Sequence, residues 1–368
     1  MNASSKKIGV LLLGGKHHIL HLIPMAAALA KNDGLDLAIF VTNEIERDMC
    51  ERVLVGLGWK QPNIQILRSL PILRKLSPKL AVLFRNISRL KKLDALIVAE
   101  RTSTILRHFV RPMPVFIHIP HGAGDRAQSY DPRICHFDHV LVAGEKDKTR
   151  MIDLGLVDES TCHITGYIKP YVVKHLYPEI PKLFETDNPV ILYNPHFSAA
   201  LSSWPEHGVD MLARFAARPD MNFIVAPHIR LFQTASESKR AEIEAFNKYP
   251  NIHVDLGSEQ STDMSYTRAA DVYLGDVSSQ VYEFLSTPKP CVFFGPEQIA
   301  WENNPDYAHW RYGRAAHSID GVMSALESAA ADHADYIDVQ REGCRLAMGP
   351  PDWNPIARGA NIVAALLT

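Results

Sequence analysis

Long apolar runs are the first thing missing from this 368-residue chain. The N-terminus, MNASSKKIGVLLLGG, holds only the run from Ile8 to Leu13 behind two lysines. That is too short for the core of a secretion signal, and no stretch elsewhere is long enough to span a bilayer. The expectation is a cytoplasmic protein, soluble or peripheral on the inner face of the cell membrane. Cysteine is scarce: Cys50, Cys135, Cys162, Cys291 and Cys344 are odd in number, scattered and without a C-x-x-C pair. This usage excludes a disulfide scaffold and a zinc knuckle. A dominant charge sign is absent as well. A net charge of −2 and a pI near 6.8 argue against a general nucleic-acid binder, so no nucleic-acid partner is expected. The fingerprint G-x-G-x-x-G is missing, which argues against NAD, and no other cofactor is expected. There is no Asp-x-Asp pair, no internal repeat and no low-complexity segment. What remains, 46% apolar and 22% charged residues, is enough to fill two α/β cores.

The most informative stretch is 270–294, ADVYLGDVSSQVYEFLSTPKPCVFF. Val272, Tyr273 and Leu274 suit a buried parallel strand. Gly275 lets the backbone turn, and Asp276 is an N-cap for a helix starting at Val277. Val281, Phe284 and Leu285 give that helix an apolar side; Pro288 and Pro290 end it before the strand Cys291–Phe294. Ser278 and Ser279 then fall in the first helical turn, where unpaired N–H groups and the helix dipole favour an anion, and Glu283 lies one turn deeper. A diphosphate at the helix tip with a ribose at Glu283 would use both features. The plain alternative is a capped helix without a ligand.

GDVSSQVYEFLSTPKPCVFF resembles the donor-site motif of the CDP-glycerol glycerophosphotransferases, and more distantly that of the UDP-GlcNAc 2-epimerases, in which two glycines replace the serines. The resemblance implies an α/β protein of GT-B architecture, two Rossmann-like domains facing across a cleft. It implies a transferase that moves glycerol phosphate from CDP-glycerol to a glycan, lipid-linked or polyol-phosphate acceptor and releases CMP. Alternatives are a GT-B glycosyltransferase using a UDP- or CMP-linked sugar, an epimerase-like isomerase, or a non-catalytic nucleotide-binding protein. His121-Gly122 after the strand Val115–Ile119 matches the family turn that supplies a catalytic base. The following Ala-Gly-Asp-Arg, with Asp125 and Arg126 as acceptor candidates, departs from the family pattern. Pro227-His228-Ile229-Arg230 resembles a family phosphate-binding turn with its lysine lost and Arg230 as a replacement cation. Pro195-His196-Phe197-Ser198 departs from the pattern at another turn.

The rest of the chain frames these residues. After the first strand come Gly14 and Gly15, then His17, His18 and His21, then a helix over Leu22–Ala30. His21-Leu22-Ile23-Pro24 resembles a glycine-rich loop of GT-B transferases, making His21 the competing base candidate and Gly14, Gly15 and His18 loop candidates. Lining a cleft is the first expectation for these histidines, a solvated loop the second, and no metal is expected. Arg68, Arg74, Lys75, Lys79, Arg85, Arg89, Lys91 and Lys92 form a basic stripe without a single acid. Leu80, Leu83, Phe84, Ile87 and Leu90 recur there at helical spacing, a pattern that fits an anionic membrane surface or a polyanionic acceptor, or else an ordinary helix with a solvated basic face. Residues 167–188 read as a linker. The expected domains are an acceptor domain, 1–175, a donor domain, 185–350, and a C-terminal helix, 354–368, that returns to the first domain. The aromatic stretch 295–313 reads as an unstructured loop able to cover a ligand.

Overall fold

The computed structural model describes residues 5–59, 62–71, 77–109 and 111–367. The chain divides into two compact units. Unit 1 comprises Met1–Ala123, Tyr130–Leu176 and Leu346–Thr368; unit 2 comprises Gly124–Ser129 and Tyr177–Arg345. The six residues from Gly124 to Ser129, which include Asp125 and Arg126, thus belong to unit 2 although the first half of the sequence encloses them.

Unit 1 is built on β1 (Lys6–Leu11), β2 (Leu35–Val41), β3 (Ile64–Ile66), β4 (Ala95–Val98), β5 (Val115–His118), β6 (His139–Val142) and β7 (Cys162–Ile164). These strands form one parallel sheet in the order β3-β2-β1-β4-β5-β6-β7. The inner strands are continuous apolar runs because helices cover both faces of a parallel sheet; all four residues of β4 are buried. The helix Ile19–Leu29 carries Pro24 inside it and packs against the terminal helix Pro355–Leu366. Asn354 caps that terminal helix by accepting from the Ala357 N–H, and Gly359 lies against Met25.

Unit 2 repeats the scheme with β8 (Val190–Asn194), β9 (Asn222–Val225), β10 (Ile252–Val254), β11 (Val272–Gly275), β12 (Cys291–Phe294) and β13 (Arg314–Ala316). They too form a parallel sheet, in the order β10-β9-β8-β11-β12-β13. Its core contains Phe215 stacked on Phe223, with Tyr193, Phe294 and Leu326. In both sheets the strand order reverses at the first strand of the unit, between β1 and β4 and between β8 and β11. Ligands of open α/β sheets bind beyond the carboxyl ends of strands at such a point.

Several expectations change. The linker 167–188 begins with a helix, Ile168–Leu176, that belongs to unit 1. The helix after β11 spans only Gln280–Phe284, with Ser279 at its N-cap position. Five residues make little more than one turn, so the dipole invoked for Ser278 and Ser279 is small. The stretch 295–313 is not an unstructured cover. It winds into 3₁₀ turns that bury Tyr307, His309, Trp310 and Tyr312. Among its described residues the basic stripe includes the helices Pro78–Arg85 and Ile87–Leu90, broken at Asn86, whose side-chain amide donates to the carbonyls of Arg68 and Val82. Leu83 and Leu90 are buried in the unit 1 core, while Arg85, Arg89, Lys91 and Lys92 are exposed. Arg74 and Lys75 lie outside the described residues. No helix among the described residues is long and apolar enough to cross a membrane.

Candidate nucleotide site

Three adjacent strands of unit 2, β9, β8 and β11, end in the turns Pro227-His228-Ile229-Arg230, Pro195-His196-Phe197-Ser198 and Asp276–Ser279. Asp276 organises this edge. It is 2% exposed, and its carboxylate accepts from the backbone N–H groups of His196 (2.9 Å), Ser203 (2.9 Å) and Val277 (2.7 Å) and from the Ser203 hydroxyl (3.1 Å). Burial pushes its carboxyl up to about 6, and the donors from Ser203, Val277 and His196 pull the other way. Asp276 is therefore no cap for the helix that follows it. It ties the β8 and β11 turns together and meets the entry to the helix Trp204–Ala216. Gly275 does not turn the backbone either. It is the last residue of β11, and a Cβ there would sit 2.6 Å from the Tyr273 hydroxyl. Ser278 is buried, its Oγ accepting weakly from the Gln280 N–H (3.4 Å); Ser279 is exposed. Glu283 is buried at 6% exposure on the short helix.

The segment Gly124–Ser129 adds two side chains to this edge. Asp125 is buried and accepts from the Tyr282 hydroxyl (2.8 and 2.9 Å) and from the His309 backbone N–H and ring Nδ1 (3.2 and 2.8 Å). Trp310 Nε1 donates to the Asp276 carbonyl oxygen at 2.7 Å, and His309 Nε2 lies 2.9 Å from the same oxygen. Asp125 is thus engaged inside unit 2, not presented to an acceptor. Its neighbour Arg126 brings its guanidinium to 2.7 Å from His196 Nε2. Burial works against that charge, and Asp306, Tyr307 and Asp276 support it.

His196 holds the decisive geometry. The Ser198 N–H donates to its Nδ1 at 3.0 Å while Arg126 approaches Nε2. Burial, reinforced by Arg126, His228 and Arg230, pushes the imidazole down to about 3, so the ring is neutral. A neutral imidazole has one acceptor nitrogen and one N–H, and cannot satisfy both donors. The Arg126 guanidinium and the Ser198 N–H thus compete for the single acceptor nitrogen of one ring. The His228 Nδ1 accepts from the Arg230 N–H at 3.2 Å, and its ring centroid is 5.8 Å from that of His196. Arg230 is exposed and stacks its guanidinium 4.1 Å over the Phe197 ring. Two imidazoles and two guanidiniums therefore gather at the carboxyl ends of adjacent strands. Such a donor set is completed by an anionic oxygen.

Unit 1 collects histidines at its own strand ends. His17 and His18 follow β1, and His121 follows β5; the ring centroids of His18 lie 4.2 Å from His17 and 4.3 Å from His121. Gly14 is needed because a Cβ there would overlap the His18 ring at 1.7 Å; Gly15 and Gly122 have positive φ, 107° and 106°. His121 is exposed, with Nδ1 3.4 Å from the Ala99 carbonyl oxygen. Burial of its surroundings, with Arg101, Lys79 and Lys169, pushes it down to about 4 against the Ala99 hydrogen bond. It is neutral at pH 7 but a weaker proton acceptor than an unperturbed imidazole. His21 stands apart, buried in its helix and stacked on Tyr167 at 5.6 Å; burial and Lys169 hold it well below the ordinary range.

Against solved structures, the whole chain aligns. A UDP-GlcNAc 2-epimerase from Neisseria meningitidis, bound to UDP-GlcNAc, matches at 15% identity with a TM-score of 0.60, over 98% of this chain and 99% of that one. The wall teichoic acid polymerase TagF, soaked with CDPG, matches at 14% identity and TM-score 0.65, over 98% and 88% of the two chains. The glycotransferase of kitacinnamycin matches at 13% identity and TM-score 0.60 over 100% of both. The fold is GT-B. No family model and no curated protein sequence matches the chain. Sequence reasoning singled out His228, Arg230, Ser278 and Ser279 for phosphate. It missed His196, whose departure from the family turn was the available signal, and placed Arg126 among the acceptor residues.

Proposed function

We propose that this chain is a GT-B enzyme acting on a nucleoside-diphosphate-activated donor, whose diphosphate is held on unit 2 by Arg126, His196, His228, Arg230 and the turn at Ser278 and Ser279. The observation that carries the reading is the gathering of Arg126, His196, His228 and Arg230, with Arg126 and the Ser198 N–H competing for one acceptor nitrogen of His196. An anionic oxygen accepting from Arg126 relieves that competition through a charge-assisted hydrogen bond. The neighbours support the same ligand class, since their names give UDP-GlcNAc and CDPG as what those proteins were solved with.

Within that class, the resemblance of residues 275–294 favours transfer of a glycerol phosphate or a related group. In that reaction an acceptor hydroxyl loses its proton to a base as its oxygen bonds to the β-phosphorus. The bridging P–O bond breaks and CMP leaves with the electron pair. The unit 2 donors stabilise charge growing on the leaving phosphate, where preorganised dipoles lower a barrier most. His121 is the base candidate from the family turn. The epimerase-type neighbour keeps a second reading open, isomerisation of a UDP-linked sugar.

Calorimetry with CDP-glycerol, UDP-GlcNAc, CMP and UDP tests the ligand class. Binding of at least one diphosphate that weakens in Arg126→Ala is expected; no binding by any of them overturns the reading. Phosphorus NMR of the bound mixture with a polyol-phosphate or glycan acceptor separates the chemistries. Release of CMP supports transfer, and an inverted sugar nucleotide without nucleotide release supports isomerisation.

A further inference from the structure

We propose that His17, His18 and His121 form a binding site for one divalent first-row transition-metal ion of the zinc type, with an open fourth position for an oxygen ligand. Each residue offers one ligand nitrogen, and these nitrogens all lie within 4.8 Å of one another. His18 is the fixed member. It is 2% exposed and clamped against Gly14, and its Nδ1 is buried without a hydrogen-bond partner. A buried ring nitrogen left unpaired is a liability that a metal bond removes. The other two rings have room to close on it, since His17 is half-buried and His121 exposed. Zinc–imidazole bonds of about 2.0–2.1 Å put tetrahedral ligand nitrogens roughly 3.4 Å apart. Rotation of these two side chains spans the difference.

The outer contacts agree with this assignment. The Ala99 carbonyl oxygen lies 3.4 Å from His121 Nδ1, so the proton sits there and the lone pair on Nε2. Histidine ligands commonly donate their second ring N–H to a carbonyl in this way. The donor set is three imidazoles without a carboxylate or thiolate, which suits zinc, cobalt, nickel or copper and not magnesium or calcium. Lys79, Lys169 and Arg101 act electrostatically on these rings, and the nearby Glu100 carboxylate is taken up by the Thr102 and Ser103 N–H groups. Three cations oppose a bare metal ion and favour one that carries an anionic oxygen, hydroxide or a phosphate. Ligation uses the Nε2 lone pair of His121, so it replaces the general-base role of that residue and leaves activation of a hydroxyl to the metal. Nothing in this proposal depends on the nucleotide site of unit 2.

The test is a cobalt(II) titration of the full chain in a Cys135→Ser background, because exposed Cys135 lies 3.7 Å from His136 Nδ1 and that pair could chelate adventitiously. The expected result is one equivalent bound with the intense visible bands of four-coordinate cobalt, displaced by zinc and perturbed by inorganic phosphate. His17→Gln and His121→Gln, both at accessible positions, should each weaken binding by at least ~10-fold while circular dichroism and nucleotide affinity stay unchanged. Absence of four-coordinate bands, or stoichiometry and affinity unaffected by both substitutions, overturns the site. Bands insensitive to phosphate overturn the anionic fourth ligand.

Discussion

In unit 1 the strand order turns back between β1 and β4, in unit 2 between β8 and β11, and in both the loop leaving the first strand carries a histidine. The surroundings of those histidines differ. In unit 2 a buried carboxylate, Asp276, gathers the backbone of two turns, and beyond it lie the guanidiniums of Arg126 and Arg230 with the rings of His196 and His228. In unit 1 three imidazoles pack on one another, and the buried Nδ1 of His18 has no hydrogen-bond partner. As proposed, one scaffold supports an edge for an anion and an edge for a divalent transition-metal ion. Loop chemistry, not sheet topology, decides which ligand each can take.

The sharpest way to break the comparison is to remove the acid that ties the unit 2 turns together. Asp276→Asn keeps the size but replaces one acceptor oxygen with an NH₂ group. At least one backbone N–H of His196, Ser203 or Val277 then faces another donor in a buried site. The cost expected is about 3 kcal/mol, at the upper end for a buried unsatisfied group. Urea unfolding followed by the fluorescence of Trp204 and Trp310 should show a lower midpoint. An unchanged midpoint would mean that the turns are held together without it.

The anion edge is probed by its cations. Hydrogen bonds to charged groups contribute about 1.5–3 kcal/mol, so Arg126→Ala and Arg230→Ala should each lower diphosphate affinity roughly 10- to 100-fold. Ser278→Ala with Ser279→Ala should act more weakly, because Ser278 is buried beside Tyr273 and the helix behind it is a single turn. Calorimetry that finds the serine pair dominant and the arginines neutral would move the diphosphate back to the helix tip.

How far the sequence foretold this depends on the range of the interactions. The strand–turn–helix–strand of residues 272–294 was legible because period, glycine and prolines are local signals. The start of the terminal helix at Asn354 was legible for the same reason. The engagement of Asp125 was not, since its partners Tyr282 and His309 lie more than 150 residues away in the chain. Nor was the service of Asp276 to His196 and Ser203 legible, as a good N-cap residue reads the same whichever backbone it serves. The loop 295–313 misled because length without periodicity signals exposure, whereas its aromatic residues fill the floor under Asp276.

A pH series sharpens the contrast inside unit 1. His118 is 1% exposed, stacked on Phe137 at 4.6 Å, and burial with Arg101 pushes it down to about 3. Unfolded, the same imidazole titrates near 6.5. Below that value the unfolded chain gains a proton that the native chain refuses, so stability falls as pH drops from about 6.5 towards 3. For a histidine kept fully neutral the loss at pH 5 is about 2 kcal/mol. His118→Phe removes this part of the acid dependence, and urea midpoints at pH 7 and pH 5 should lie closer together than in the parent. Equal spacing would assign the acid limb to other groups.

The smallest effect concerns the outer face of unit 1. Because Leu83 and Leu90 are spent on the core and Leu80 and Ile87 pack against it, the exposed charges described there that can meet a bilayer surface are those of Arg68, Arg85, Arg89, Lys91 and Lys92. A basic side chain near an anionic surface contributes at most about 1 kcal/mol, and that contribution fades within a Debye length. Sedimentation with phosphatidylserine-rich vesicles at low salt should therefore be modest and reversible. Arg85→Gln with Arg89→Gln should weaken it several-fold, and physiological salt should remove most of it. Binding that survives high salt would require an apolar contact. No binding at low salt would leave the stripe as a solvated face.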